Sequence, residues 1–237
     1  MRPNEGAISS AKRRRLQRPR VLTVFYAYFS RCFAPLARLR HNPPYPMRIT
    51  SHQIALRGGM PVTLRTPEAA DAERVLAHRI AIAKQSGANM DSGPDVLAKI
   101  TAEDQARQLS EVAEHPKSVF VIGTIGDQVV GVASVIQRSG AWSAHVGDLG
   151  MGVLEQYRSK GLGRALMNSA LEASERAGIW NVILSVRTFN APAIDLYESV
   201  GFHRIGHLKS VALLPDRMAD EYIYQRLRRR ASGSFAI

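Results

Sequence analysis

The stretch YRSKGLGRALM, from Tyr157 to Met167, places three cationic side chains and two glycines directly before an apolar, helix-forming segment. Glycine lets the backbone curl tightly, so that successive N–H groups converge at the start of the following helix. These N–H groups and the helix dipole attract an anion, and Arg158, Lys160 and Arg164 add positive charge around it. The stretch therefore predicts a binding site for a phosphate or pyrophosphate group.

The common nucleotide-binding motifs do not account for this stretch. The pattern G-x-x-x-x-G-K-[ST] is absent, and Gly161 and Gly163 lack the third glycine of G-x-G-x-x-G. A helix start that uses glycine only to make a tight turn is the alternative interpretation. The predicted secondary structure around the turn helps to decide between an anion-binding site and a purely structural helix start.

Those elements predict a mixed α/β domain. Helical periodicity covers 67–84, 95–114, 161–177 and 191–200, while strand patterns cover 62–65, 118–138, 145–154, 181–186, the segment from 202, and 221–227. The 118–138 segment is predicted to be a hairpin that turns at Gly126 and Asp127. Three glycines interrupt the 145–154 strand, which indicates a bulge or the close approach of another backbone or a ligand.

Two motifs, in the expected order, resemble those of the GNAT N-acetyltransferase superfamily. Arg158 to Gly163 matches R/Q-x-x-G-x-G/A, and NAPAIDLYESVGF, from Asn190 to Phe202, resembles N-x-x-A-x-x-L-Y-x-x-x-G-F. The resemblance covers about residues 62–227. It implies a mixed, mostly antiparallel central sheet flanked by helices, with a splayed strand pair that holds coenzyme A.

The resemblance also implies the two substrates, acetyl-coenzyme A and a primary amine of a small molecule or a protein N-terminus. In that family the amides of the turn hold the pyrophosphate, and the pantetheine arm lies between two strands, here 148–154 and 181–186. Asn190 is additionally the predicted N-cap of its helix. The residues implied to bind the coenzyme are Met151, Val153, Arg158, Ser159, Lys160, Gly161, Leu162, Gly163, Arg164, Asn190 and Tyr197.

Acetyl transfer by direct attack in a ternary complex needs a neutral amine, a stabilised oxyanion and a proton for the departing thiolate. A primary alkyl amine has a pKa of about 10.4, so a base or a water chain must remove a proton. Tyr197 occupies the family's tyrosine position and is the predicted proton donor, with a purely structural core tyrosine as the alternative. Asp148 is the candidate base and His145 a weaker rival, while amides near Met151 and Val153 are predicted to serve the oxyanion.

The acceptor is expected to meet two loops, at about 83–95 and 213–222. Their acids could bind a cationic amine, although solvated loop acids are the alternative interpretation. These acids are Asp91, Asp216, Asp220 and Glu221.

The net charge of +12 is concentrated near the N-terminus: residues 1–60 hold 12 Lys and Arg against Glu5 alone, and the rest hold 20 against 19. We interpret 1–60 as a basic arm with a Pro-rich linker, 61–230 as the acetyltransferase domain and 231–237 as a tail. Residues 12–20 are suited to weak contact with nucleic acid. The apolar run at 21–30 is shorter than the ~20 residues that span a bilayer, so no membrane association is predicted. A chain that begins at Met60 is expected to stay folded and active.

The remaining composition limits the class of protein. The single cysteine, Cys32, excludes an intrachain disulfide and a Cys-rich zinc site, and the seven histidines lack metal-ligand spacing, so no metal is predicted. A cytoplasmic enzyme, as a monomer or homodimer, fits these features. Two alternatives remain, a non-catalytic acyl-coenzyme A binding module and a ribosome- or nucleic-acid-associated protein that uses its basic arm.

Overall fold

A computed structural model describes residues 48–90 and 92–228 and shows an eight-stranded sheet in the order β1-β2-β3-β4-β5-β6-β8-β7. Neighbouring strands run antiparallel except for β5 and β6, which run parallel. The predicted mixed, mostly antiparallel sheet is therefore confirmed. The strands are β1 (His52–Ala55), β2 (Pro61–Arg65), β3 (Val119–Ile125), β4 (Gln128–Gln137), β5 (Val146–Val153), β6 (Asn181–Arg187), β7 (His203–Leu213) and β8 (Met218–Leu227).

Helices cover both faces of this sheet. The helices are α1 (Ala72–Ser86), α2 (Pro94–Leu97), α3 (Ala102–Glu114), α4 (Leu162–Arg176) and α5 (Ala191–Ser199). Helices α4 and α5 contribute Leu166, Ala170 and Tyr197 to the larger apolar core. On the other face, α1 and α3 contribute Val75 and Leu109 to a smaller core. The amphipathic patterns therefore bury one stripe of each long helix against the sheet.

The segment predicted as one helix over 95–114 is two helices in the structure. The first ends at Leu97, and the second begins after Thr101, whose side chain accepts a hydrogen bond from the Asp104 N–H at 3.1 Å. This bond satisfies one of the N–H groups that a helix start leaves without a partner. The capping threonine thus fixes a helix start that the apolar periodicity did not show.

Strand β1 lies before residue 61, where the sequence predicts the domain to begin. It pairs with β2 from His52 to Ala55, and the flanking Ile49 and Leu56 are buried in the larger core. We propose that the domain begins by about residue 48. The expectation that residues 1–59 add little to the fold is wrong for 48–59, because this part covers the edge of β2 and buries apolar side chains.

Several predictions fall on residues outside the described ranges. They concern the basic segment 12–20, the apolar run at 21–30, Cys32, Asp91 and the tail at 231–237. Within the described ranges, no helix is long and apolar enough to cross a membrane.

Candidate active site

Strands β5 and β6 part from each other halfway along β5. They pair only where Val146–Asp148 faces Asn181–Ile183, which confirms the predicted splayed pair. The N–H of Leu154 donates to the Val130 carbonyl of β4 at 3.0 Å. Because backbone groups alternate in direction along a strand, Met151 and Val153 point their N–H groups into the gap on the β6 side. The gap therefore offers backbone donors where the coenzyme arm was predicted.

The glycine turn adjoins the end of β5 and holds two left-handed residues, Ser159 with φ 58° and Gly161 with φ 93°. The first backbone bond of α4 runs from the Ala165 N–H to the Gly161 carbonyl, at 3.1 Å. The amides from Leu162 to Arg164 therefore precede the helical hydrogen-bond ladder and have no acceptor within it. Open amides at a helix start, next to left-handed residues, form a concave site for an anion.

Gly163 lets three elements approach closely beside this turn. A Cβ atom at this position would lie 3.1 Å from Leu196 Cδ2 of α5 and 3.3 Å from Met151 Cε of β5. The turn is also tied to the β1–β2 connection, because the Arg57 N–H donates to the Lys160 carbonyl at 3.0 Å. The turn is thus held by packing on one side and by a backbone bond on the other.

The three cations of the turn have different surroundings. Arg158 donates from Nε to the Val153 carbonyl at 3.0 Å and from Nη2 to Ser86 Oγ at 2.8 Å. Arg164 donates to the Ser199 carbonyl at the end of α5, at 3.4 Å. The Lys160 side chain makes no hydrogen bond or ion pair within the described ranges, and its Nζ lies 5.9 Å from the centre of the Tyr157 ring. Two cations therefore brace the site, and the Lys160 ammonium is the one available to an anion.

Tyr197 and Asn190 lie on α5 and at its start. Tyr197 is 8% exposed, contacts the Phe202 ring edge-to-face, and makes no side-chain hydrogen bond within the described ranges. Burial raises the pKa of Tyr197 to about 12, so its hydroxyl stays protonated at neutral pH. Asn190 occupies the predicted N-cap position, but its side chain makes no capping hydrogen bond. Because the Asn190 side chain makes no capping bond, its amide group remains available to a ligand.

The two candidate bases differ in position. Asp148 lies where β5 and β6 part, and Arg138 binds its carboxylate in a bidentate contact, with Nε 2.8 Å from Oδ2 and Nη2 2.6 Å from Oδ1. His145 precedes β5 and stacks on Trp180 at 4.3 Å between ring centres. It lies six residues, about 20 Å along an extended strand, from Met151. Of the two, the structure brings only Asp148 to the gap.

The two segments predicted to meet the acceptor come together at Arg187. This residue, 4% exposed, donates from Nε to the Ala88 carbonyl at 3.3 Å and from Nη1 to Glu221. Glu221 also accepts a hydrogen bond from Ser185 Oγ at 2.8 Å. Glu221 is therefore a residue of β8, as the strand pattern over 221–227 predicts, and it has a cationic partner. No local sequence pattern marks Arg187, because its partners lie far from it along the chain.

Two further acids of the second segment, Asp216 and Asp220, lie on the β7–β8 hairpin. Asp216 is exposed. Asp220 accepts hydrogen bonds from the Ser210 N–H at 2.8 Å and from His207, with 2.9 Å between Oδ2 and Nε2. The Ser210 bond and then the His207 bond hold the pKa of the Asp220 carboxyl below its usual value. Asp220 is thus engaged within the hairpin.

His78 on α1 is a second residue near the gap that the sequence analysis passed over. Both ring nitrogens are buried without a hydrogen-bond partner within the described ranges, and Cε1 lies 3.7 Å from where a Cβ on Gly152 would stand. Burial, and then the charge of Arg79, lowers the pKa of His78 to about 4, so the ring is neutral at pH 7. Its spacing from Val75 and Ile82 marks it as part of the buried stripe of α1.

Comparison with known proteins agrees with this geometry. Residues 89–202 match the model of the acetyltransferase (GNAT) family. The chain is 28% identical over 118 residues to the L-amino acid N-acetyltransferase AaaT of Escherichia coli K12, which covers 49% of this chain and 73% of that one. It is 47% identical over 47 residues to the [ribosomal protein bS18]-alanine N-acetyltransferase of the same strain. This match covers 20% of this chain and 32% of that relative.

Solved structures show the same fold. An acetyltransferase of the GNAT family from Streptococcus pneumoniae superposes with a TM-score of 0.67 at 22% identity, over 70% of this chain and 99% of that one. The protein yncA from Salmonella typhimurium, solved with its cofactor acetyl-CoA, gives a TM-score of 0.64 at 19% identity, over 74% of this chain and 99% of that one. Together with the family match, the parted strands and the glycine turn, these likenesses show that the chain contains a GNAT acetyltransferase domain, matched over residues 89–202, and has that family's fold.

Proposed function

We propose that this enzyme transfers the acetyl group of acetyl-coenzyme A to the α-amine of an amino acid or of a protein N-terminus, by direct attack in a ternary complex. The observation that carries the proposal is the parting of β5 from β6 beyond Asp148 and Ile183, directly beside the open amides of α4. That gap can admit an extended arm whose anionic end reaches the turn.

The residues around the gap fit acetyl-coenzyme A. The amides from Leu162 to Arg164 and the Lys160 ammonium would hold the pyrophosphate, and the Asn190 amide would bind the arm. Acetyl-coenzyme A supplies an acetyl thioester. The N–H groups of Met151 and Val153 would hold the acyl oxygen, where donors fixed in a strand stabilise developing negative charge without reorganising.

The acceptor class follows from what two relatives share. One is named for L-amino acids and the other for a ribosomal protein alanine, and both substrates present an α-amine. The α-amino group of a peptide N-terminus has a pKa of about 7.7–8.0 against about 10.4 for lysine, so roughly a tenth of it is already neutral at pH 7. A peptide N-terminus therefore needs no strong base, whereas the α-amine of a free amino acid is more basic, because of its own carboxylate, and must lose its proton to a base or a water chain.

A thiol-release assay tests this proposal. The protein is incubated with acetyl-coenzyme A and a panel that contains the twenty L-amino acids, a peptide with N-terminal alanine, and Nα-acetyl-lysine. We expect thiol release with at least one α-amine and none with Nα-acetyl-lysine, which offers only an ε-amine. Tight coenzyme binding without thiol release from any of these would instead support a non-catalytic binding module.

Replacing Tyr197 with Phe is expected to lower kcat by about 10²-fold, the lower end of the range for general acid catalysis. The Tyr197 pKa of about 12 exceeds the ~8.5 of a thiol, so the hydroxyl acts on the departing sulfur as a hydrogen-bond donor more than by full proton transfer. Tyr224→Phe is the matched control, because this buried hydroxyl donates to Glu198 at 2.8 Å. We expect the control to lose stability and keep kcat; equal kcat losses in both variants would count against the proposal.

Replacing Asp148 with Asn is expected to lower kcat by less than about 10-fold, because both carboxylate oxygens already accept hydrogen bonds from Arg138. The measurement is kcat between pH 6 and 9. A loss of about 10²-fold or more, the range of a general base, would restore Asp148 as the base that the sequence predicts.

A further inference from the structure

An arginine of the β7–β8 hairpin is stacked on an exposed aromatic ring in the connection after β6. Arg217, in the hairpin between β7 and β8, lies with its guanidinium carbon 4.8 Å from the centre of the Phe189 ring. Phe189 is 41% exposed, a large fraction for a phenylalanine next to a site. The ring follows β6 directly and precedes Asn190, so it belongs to the connection that borders the gap.

The register of the parallel strands locates this pair relative to the acyl site. Asp148 of β5 faces Ile183 of β6. Counting equal steps along both strands from that pair brings Thr188 level with Val153, and Phe189 one residue beyond. One residue along a strand is about 3.3 Å. Phe189 therefore lies up to about 20 Å of chain beyond Ile183, on the side where the two strands part.

The stacking leaves the guanidinium ready for an anion. Within the described ranges the Arg217 side chain makes no hydrogen bond or ion pair; only its carbonyl is engaged, by the Leu214 N–H at 2.8 Å. A guanidinium that lies flat on a ring keeps its N–H groups in the plane, where they can form a bidentate contact with a carboxylate. Two other arginines of the site, Arg138 and Arg187, already have carboxylate partners, Asp148 and Glu221. Arg217 thus differs from both, because its guanidinium N–H groups have no carboxylate partner within the described ranges.

We propose that Arg217, held by Phe189, binds the α-carboxylate of a free amino acid whose amine is acetylated in the gap. This inference rests on the proposed function and deepens it, because it selects free amino acids over protein N-termini. In a free amino acid the carboxylate is bonded to the same carbon as the amine, so one contact at Arg217 orients the amine. A peptide N-terminus has a neutral carbonyl group there and gains much less from a cation.

The test compares two acceptors that differ only in that carboxylate. The probes are the free L-amino acid that turns over fastest in the panel above and the α-amide of the same amino acid. In Arg217→Gln we expect KM for the free amino acid to rise by about 10–100-fold. This change in KM corresponds to the loss of a charge-assisted hydrogen bond. KM for the amide, KM for acetyl-coenzyme A and kcat should change by less than about twofold, because none of them involves this contact.

Two further variants sharpen the comparison. Arg204 is also stacked on a ring of this hairpin, 4.5 Å from the centre of Tyr222, so Arg204→Gln is the matched control and should leave both probes unchanged. Arg217→Lys should restore part of the affinity for the free amino acid, because it keeps the charge and loses the fork.

The outcomes separate the inference from the proposed function. Equal changes in KM for both probes, or no change for either, would overturn the role of Arg217 while the wild-type turnover still supports an acetyltransferase. Thiol release with only the peptide of the panel would overturn the inference and leave the proposed function standing, whereas no thiol release with any acceptor of the panel would overturn both.

Discussion

Replacing Gly161 with Glu is expected to abolish measurable binding of acetyl-coenzyme A. Gly161 has φ 93°, a left-handed conformation that a side chain destabilises, and the new carboxylate would stand before the amides that open α4. Hydrogen bonds to a charged group contribute about 1.5–3 kcal/mol each, so the loss of two corresponds to roughly 10²–10⁴-fold in Kd. Isothermal titration calorimetry measures the Kd directly.

Gly178 provides the matched control for this substitution. It has φ 84°, and, as at Gly161, a Cβ there would meet no atom within 4 Å. It lies just after α4, at the opposite end from the turn. Gly178→Glu should therefore cost similar backbone strain and leave the Kd unchanged. If the two variants bind acetyl-coenzyme A with Kd values within about threefold of each other, the turn is not the pyrophosphate site.

Removing residues 1–59 is expected to lower the melting temperature by about 10–20 °C. Burial of Ile49 and Leu56 contributes about 1.5–3 kcal/mol each, and the four cross-strand pairs of β1 are lost with them. Each kcal/mol shifts the midpoint by about 2–4 °C in a chain of this size. The Arg57 bond to the Lys160 carbonyl is lost as well, so we also expect weaker coenzyme binding.

A chain that begins at Arg48 is the control for this truncation. It keeps β1 and removes only residues outside the described part of the chain, so its melting temperature and Kd for acetyl-coenzyme A should match those of the full chain. A chain that begins at Met60 and melts within about 3 °C of this control, less than the loss of one buried side chain, would show that β1 is dispensable.

The features that the sequence predicted correctly are those encoded by local pattern. The hairpin turn at Gly126 and Asp127, the glycine turn and the helix at Asn190 each follow from residues within a few positions of one another. The splay of β5 from β6 came from the family resemblance of two motifs. Periodicity and turn chemistry therefore sufficed for most elements of the domain.

What the sequence did not predict depends on contacts between distant residues. Strand β1 has four residues in a segment whose excess positive charge dominated its interpretation, and only its pairing with β2 defines it. Arg158 was expected to surround an anion, yet its guanidinium contacts Ser86, 72 residues earlier in the chain. A guanidinium on a long side chain can serve either purpose, so its partner is decided by the tertiary fold.

Ser159 holds a left-handed backbone although it is not a glycine, with φ 58°. This conformation costs an L-residue about 1–2 kcal/mol relative to its right-handed form. The chain meets that cost when it folds, since the neighbouring Lys160 carbonyl is already fixed by Arg57. The cradle for the anion is thus shaped before any ligand arrives, and binding requires little further loss of conformational entropy at the loop. Position 159 should consequently accept glycine, asparagine or aspartate and reject β-branched residues, whatever substrate the enzyme acetylates.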